Sequence, residues 1–209
     1  GGHTGSTPTT LLLSSVLQKV NIPVIAAGGF RDGSGLAAAL AWGADGIAMG
    51  TRFMMTQESP VPSQTKESYL SAGIDDIKVT KKFDGLPHRL IFNDYIKKID
   101  HSNPFTLLWI SITSAIKYKQ LTQSSYKDLL KAFFAMLKGD DLTISQSVMS
   151  ANSPAIIQKA MVEGFPDEGA MPSGQVAGII TNLPACEDLV LEIMRDFDQA
   201  CSKLEGIRR

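Results

Sequence analysis

Apolar positions along this chain change their spacing several times, and each change predicts a different element. In "PTTLLLSSVLQKV", residues 8–20, Leu13, Val16, Leu17 and Val20 recur at helical spacing, with Thr and Ser ahead of them to cap the first turn. "IPVIAAGG" follows as a short apolar run that ends on Gly28 and Gly29, the pattern of a strand buried on both faces of a parallel sheet. "LAAALAWGA" predicts a short helix stopped by Gly43, its small side chains suited to close packing on a sheet. "DGIAMGT" then repeats the design of a brief apolar strand closed by glycine. Strand, loop, helix, strand is a βαβ unit, whose right-handed crossover joins parallel strands, so the expected class is α/β.

After residue 60 the pattern shifts. "SPVPSQTKESYLSAG" predicts a proline-led loop and a helix, "DIKVTKKF" an edge strand or extended segment, and "DGLPHR" a turn. From Phe92 to about Phe165 the helical period dominates: Tyr126, Leu129, Leu130, Phe133, Phe134 and Leu137 share one face, and "SPAIIQKAMVEG" has a Ser-Pro start and a Gly stop. Near the end, Val190, Ile193, Met194, Phe197, Cys201 and Leu204 form an apolar stripe behind Glu187 and Asp188, which places Cys201 in the core. The expected organisation is residues 1–82 as strands and helices of one α/β body, 83–165 as a mainly helical insertion, and 166–209 as a segment and long helix returning to that body.

Composition narrows the function classes. The 209 residues carry a formal net charge of -1, which supplies no pull toward nucleic acid or anionic lipid. The longest nearly apolar run, Pro104 to Ile116, is shorter than the roughly 18–20 residues of a membrane span. Cys186 and Cys201 lie far from any CxxC spacing, so no metal site and no disulfide framework is expected, and a reducing cytoplasm is the default location.

The chemistry lies in the glycine loops. "AAGGFRDGSG" and "AMGTRF" each end a predicted parallel strand, and such ends share one side of a sheet. Backbone N–H groups at Gly28, Gly29 and Gly50, with the Thr51 hydroxyl, can converge there on a phosphate. "GGFRDGSG" lacks the GxGxxG spacing of a dinucleotide fold. His88 and His101 read as turn and loop residues, Arg52 as structural, Arg31 and Asp32 as loop-shaping, Trp42 as packing, and Met54 and Met55 as core.

"GGHTG", "PVIAAGGFRDGSGLAAALAWGADGIAMGTRF" and "MPSGQVAGII", in that order, resemble the C-terminal half of the nitronate monooxygenase family, formerly 2-nitropropane dioxygenases, which includes FMN-dependent enoyl reductases. The resemblance implies the C-terminal part of a TIM-type (β/α)8 barrel with a helical insertion. It implies FMN, with Gly2, Gly28, Gly29, Gly50, Thr51 and Gln175 at cofactor-binding positions and His3 as the active-site histidine. The implied activity is oxidation of alkyl nitronates with O2 to carbonyl compounds and nitrite. The alternative is NAD(P)H-dependent reduction of an enoyl thioester on acyl-CoA or acyl carrier protein, and the "GAMPSGQVAGIITNLPACEDLV" ending resembles the acyl-CoA-directed branch. A chain opening on "GGHTGS" without methionine is expected to lack upstream strands. A third expectation is therefore an inactive or partner-requiring fragment, completed by a missing N-terminal half-barrel or by a second copy.

Overall fold

The structure, a computed structural model, describes residues 1–103, 106 and 144–207. The face expected from Tyr126 to Leu137 lies outside the described residues. Helix α1, Thr9–Leu17, starts after Pro8 and has no side-chain cap. The Thr9 hydroxyl, expected to cap it, instead donates to the Gly28 carbonyl at 3.2 Å and ties the helix start to the end of β2.

Strand β2, Ile25–Ala27, pairs in parallel with β3, Gly46–Ala48, in the register Ile25↔Gly46 to Ala27↔Ala48. Their crossover is α2, Gly33–Trp42. Asp32 caps its start by accepting from the Gly35 N–H at 2.9 Å, and Gly43 stops it at φ 103°. Leu13, Ala26, Phe30, Ala39 and Ala44 pack beneath this unit. The βαβ reading stands, but β2 is not buried on both faces: Ala26 is covered while Ile25 is 57% exposed, because α1 and α2 contribute to the cluster on Ala26's side only.

A second, antiparallel sheet was not foreseen. Its order is β1 (Gly2–His3), β5 (His88–Ile91), β4 (Ile77–Thr80), with β4 at the edge as expected. The "DGLPHR" turn ends at Pro87, so His88 is a strand residue with a buried side chain. Along β5, residues 171–173 continue from β1: Ser173 N–H donates to the Arg89 carbonyl and Ile91 N–H to the Met171 carbonyl, each at 3.1 Å.

The remaining helices are α3 (Thr51–Met54), α4 (Ser63–Ser71), α5 (Asp94–His101), α6 (Ile144–Met161) and α7 (Cys186–Ile207). Pro154 lies inside α6, so Ser-Pro does not start that helix, and His101 belongs to the last turn of α5 rather than to a loop. On α7 only part of the apolar stripe is covered. Ile193 is buried with Leu189, while Val190, Met194 and Leu204 are exposed and Cys201 is half-buried rather than core. The cause is a narrow crossing with α2: a Cβ at Gly33 would stand 2.0 Å from the Ile193 carbonyl oxygen and 2.2 Å from the Phe197 nitrogen, so the two backbones nearly touch. Trp42, expected to pack, is 43% exposed. No helix among the described residues is long and apolar enough to cross a membrane.

Candidate active site

Three chain segments distant in sequence meet beside β1. A Cβ on Gly1 would lie 2.6 Å from the Ser173 carbonyl carbon, so the start of β1 rests against the 173–174 backbone. The Gly174 N–H donates to the Thr51 hydroxyl oxygen at 3.0 Å, which joins that segment to the loop after β3. Buried Tyr69 fixes the same segment from below by donating to the Pro172 carbonyl at 2.7 Å, and burial pushes its phenol well above its ordinary range.

The parallel register ends at Ala27↔Ala48, so the Gly28–Gly29 and Gly50–Thr51 loops both leave the sheet at the carboxyl ends of β2 and β3. Gly28 and Gly29 have φ of 104° and 86°, a left-handed backbone that favours glycine. A Cβ at Gly29 or Gly50 would find nothing within 4 Å, so both strand ends open onto free space. Thr51 accepts from Gly174 and keeps its own hydroxyl proton to donate. These groups fit an anionic oxygen, and so the phosphate end of FMN. Gln175 is exposed beside Gly174, and Gly2, at φ 82°, faces the buried His88 ring, 3.9 Å from its Nε2 to a would-be Cβ.

At the other end of the convergence stands His3. The β1–β5 register sets it directly opposite His88, with ring centroids 4.6 Å apart. One carboxylate oxygen serves both rings: Asp84 Oδ2 lies 2.7 Å from His3 Nε2 and 2.8 Å from His88 Nδ1. Burial pushes the Asp84 carboxyl up, but the hydrogen bonds from His88 and His3, the His88 charge and the Leu86 N–H outweigh it and hold the group below its ordinary value. Ligand atoms of His3, Asp84 and His88 lie within 4.8 Å of one another, a grouping able to hold a metal ion that the cysteine pattern did not suggest. The three residues line a cavity of about 630 Å³ with Ile157 of α6 and Val162 just beyond it.

The structure therefore brings Thr51 to the β1–174 junction and puts the Gly28–Gly29 and Gly50 loops at the same end of the β2–β3 pair. His88, expected in a turn, is instead a buried strand residue beside His3, and Asp84 joins the two although no sequence pattern singles it out. The nearest signal is "DGLPH": an Asp-Gly turn start with a histidine four residues on. Arg52 is structural, as read, with its guanidinium on the Asn182 side chain, the Asn182 carbonyl and the Met55 carbonyl. Arg31 pairs with Asp32 and donates to the Ile179 carbonyl, which shapes the loop as expected, and Met55 is fully buried.

A model of the nitronate monooxygenase family matches residues 1–196. The chain belongs to that family. It is 46% identical over its whole length to a Rhodococcus jostii protein named (3aS,4S,5R,7aS)-5-hydroxy-7a-methyl-1-oxo-octahydro-1H-indene-4-carboxyl-CoA dehydrogenase, of which it covers 59%. It is 44% identical over 94% of its length to a Mycobacterium tuberculosis protein of the same name, covering 56% of that protein. Among solved structures it resembles FabK from Thermotoga maritima, with a TM-score of 0.68 and 29% identity over 99% of this chain and 54% of that one. The chain thus spans a little over half the length of these family relatives, consistent with part of a barrel.

Proposed function

We propose that this chain carries the phosphate-binding loops and the proton-transfer histidine of an FMN-dependent oxidoreductase acting on an acyl-CoA thioester. The observation that carries the reading is the convergence of β1, the loop after β3 and residues 171–175, with a histidine at one end and open glycines at the other. Gly28, Gly29, Gly50 and Thr51 would hold the FMN phosphate. Bound FMN would supply two-electron hydride chemistry. His3 would take or give the proton beside the thioester carbonyl, where an imidazole suits neutral pH. Ile157 and Val162 would receive an apolar part of the substrate. The acyl-CoA choice is supported by the two relatives named as carboxyl-CoA dehydrogenases.

Nitronate oxidation is the second reading, favoured by the family match and by a 37% identical Staphylococcus saprophyticus relative named a probable nitronate monooxygenase, aligned over 48% of this chain. The test uses the purified protein with flavin. Anaerobic bleaching of the flavin by a saturated cyclic acyl-CoA supports the thioester reading. Oxygen uptake with nitrite release from an alkyl nitronate, without response to acyl-CoA, replaces it. Bleaching by NAD(P)H with turnover of an enoyl-CoA indicates the reductive direction. A chain that retains no flavin assigns the activity to the chain joined with the remaining half of its barrel or with a second copy.

A further inference from the structure

We infer that Asp84, braced by His88, fixes the ring and tautomer of His3 so that Nδ1 is the nitrogen presented to substrate; this rests on the reading in which His3 handles a proton. Asp84 is anchored on both oxygens. Its Oδ1 accepts from the Leu86 N–H at 3.2 Å across the Gly85 turn, and its Oδ2 faces the two histidines, with 4% of the side chain exposed. An ionised carboxylate only accepts, so the ring nitrogens facing it carry the hydrogens: Nε2 of His3 and Nδ1 of His88. In neutral His3 the lone pair then lies on Nδ1.

The two histidines differ in what remains. His3 is 56% exposed, and its Nδ1 makes no hydrogen bond among the described residues, so it can meet a substrate proton. His88 is 5% exposed, edge-on to Phe83 at 5.1 Å, and its Nε2 has no hydrogen-bond partner among the described residues. A buried imidazole that leaves one nitrogen unmet in order to point the other at Asp84 acts as a brace. It supplies the second donor to Oδ2 and packs the His3 ring from the side. A metal ion could use the same three side chains, but both nitrogens sit at hydrogen-bond distance from one oxygen, the arrangement of shared protons rather than of an ion between them.

Long-range proton–nitrogen NMR correlations on histidine-labelled, EDTA-dialysed protein at about pH 8, where free imidazoles are neutral, test this without flavin or substrate. The expected spectrum has His3 protonated on Nε2 alone. His88→Asn, which keeps a donor near the Nδ1 position, retains that pattern, whereas His88→Leu and Asp84→Ala give mixed tautomers. Wild-type His3 protonated on Nδ1 or already mixed, or an unchanged tautomer in folded Asp84→Ala, overturns the inference. In flavin-loaded enzyme, Asp84→Asn is expected to lower kcat about 10- to 100-fold at nearly constant KM, and to cause little further loss when it is added to His3→Ala. Unchanged kcat in Asp84→Asn also overturns it. Correct tautomers in an enzyme that ignores acyl-CoA overturn the substrate reading and leave the positioning role intact.

Discussion

Asp84 carries a charge that burial opposes, and two imidazoles hold it in place. Because its folded-state carboxyl is held below the ordinary 3.8, the stabilisation it gives is fully present above that pH and is lost as pH falls through the lower folded value. Chemical denaturation from about pH 6 down to about pH 2 should therefore show the advantage of wild type over Asp84→Asn shrinking below the ordinary carboxyl range. A constant difference across that range would show that Asp84 contributes by shape and not by charge. His3 is itself exposed, and its side chain's share in the fold is the single hydrogen bond it gives Asp84. His3→Ala should lower turnover of the active flavoprotein by about 100-fold or more while flavin content stays near wild type.

Among the elements, the α2–α7 crossing and the Lys66 turn are the points where single side chains decide packing. Gly33→Ala would drive a methyl group into the α7 backbone and should cost on the order of 1–3 kcal/mol by denaturant titration. Lys66 is buried with its ammonium donating to the carbonyls of Thr56 and Ser59 at 2.7 and 2.8 Å, and to Gln57 at 3.3 Å. Lys66→Met leaves those carbonyls unmet and should destabilise by about 1–3 kcal/mol or more, and Thr56, which it holds, lies one residue from Met55 at the end of α3. Elements set by local chemistry were legible in the sequence. Gly43 stops α2, the two glycine-ended strands pair in parallel, and Glu187 with Asp188 opens α7, whereas Asp32, read as loop-shaping, caps an α2 that starts three residues before the expected Leu36. Elements set by distant partners were not. The α7 start also takes its acceptor from Glu58, whose carboxylate receives the Cys186 N–H across 128 residues. The His3–His88 pair needs an antiparallel sheet that no stretch near either histidine announces. So the glycine loops could be read in advance, whereas the carboxylate that organises the histidine could not.

At the scale of the molecule, several apolar side chains stand in solvent: Leu11 and Leu12 on α1, Ile25 on β2, Val190, Leu191 and Leu204 on α7. Exposed apolar groups beside a short, open two-stranded sheet favour association. The chain alone should sediment as a species larger than the monomer, and a Leu12→Glu, Ile25→Thr variant should move toward the monomer without loss of helical signal. Monomeric wild-type chain at the same concentration would remove these side chains as contact sites.

The hydrogen bond from Gly174 to Thr51 spans 123 residues. At about 5–20 residues per second, a ribosome needs roughly 6–25 s to travel from one to the other. Throughout that interval the glycine loops exist as nascent chain with their closing partner still unwritten. The junction that joins the loop after β3 to residues 171–175 is therefore completed late, after everything between its two halves has been made.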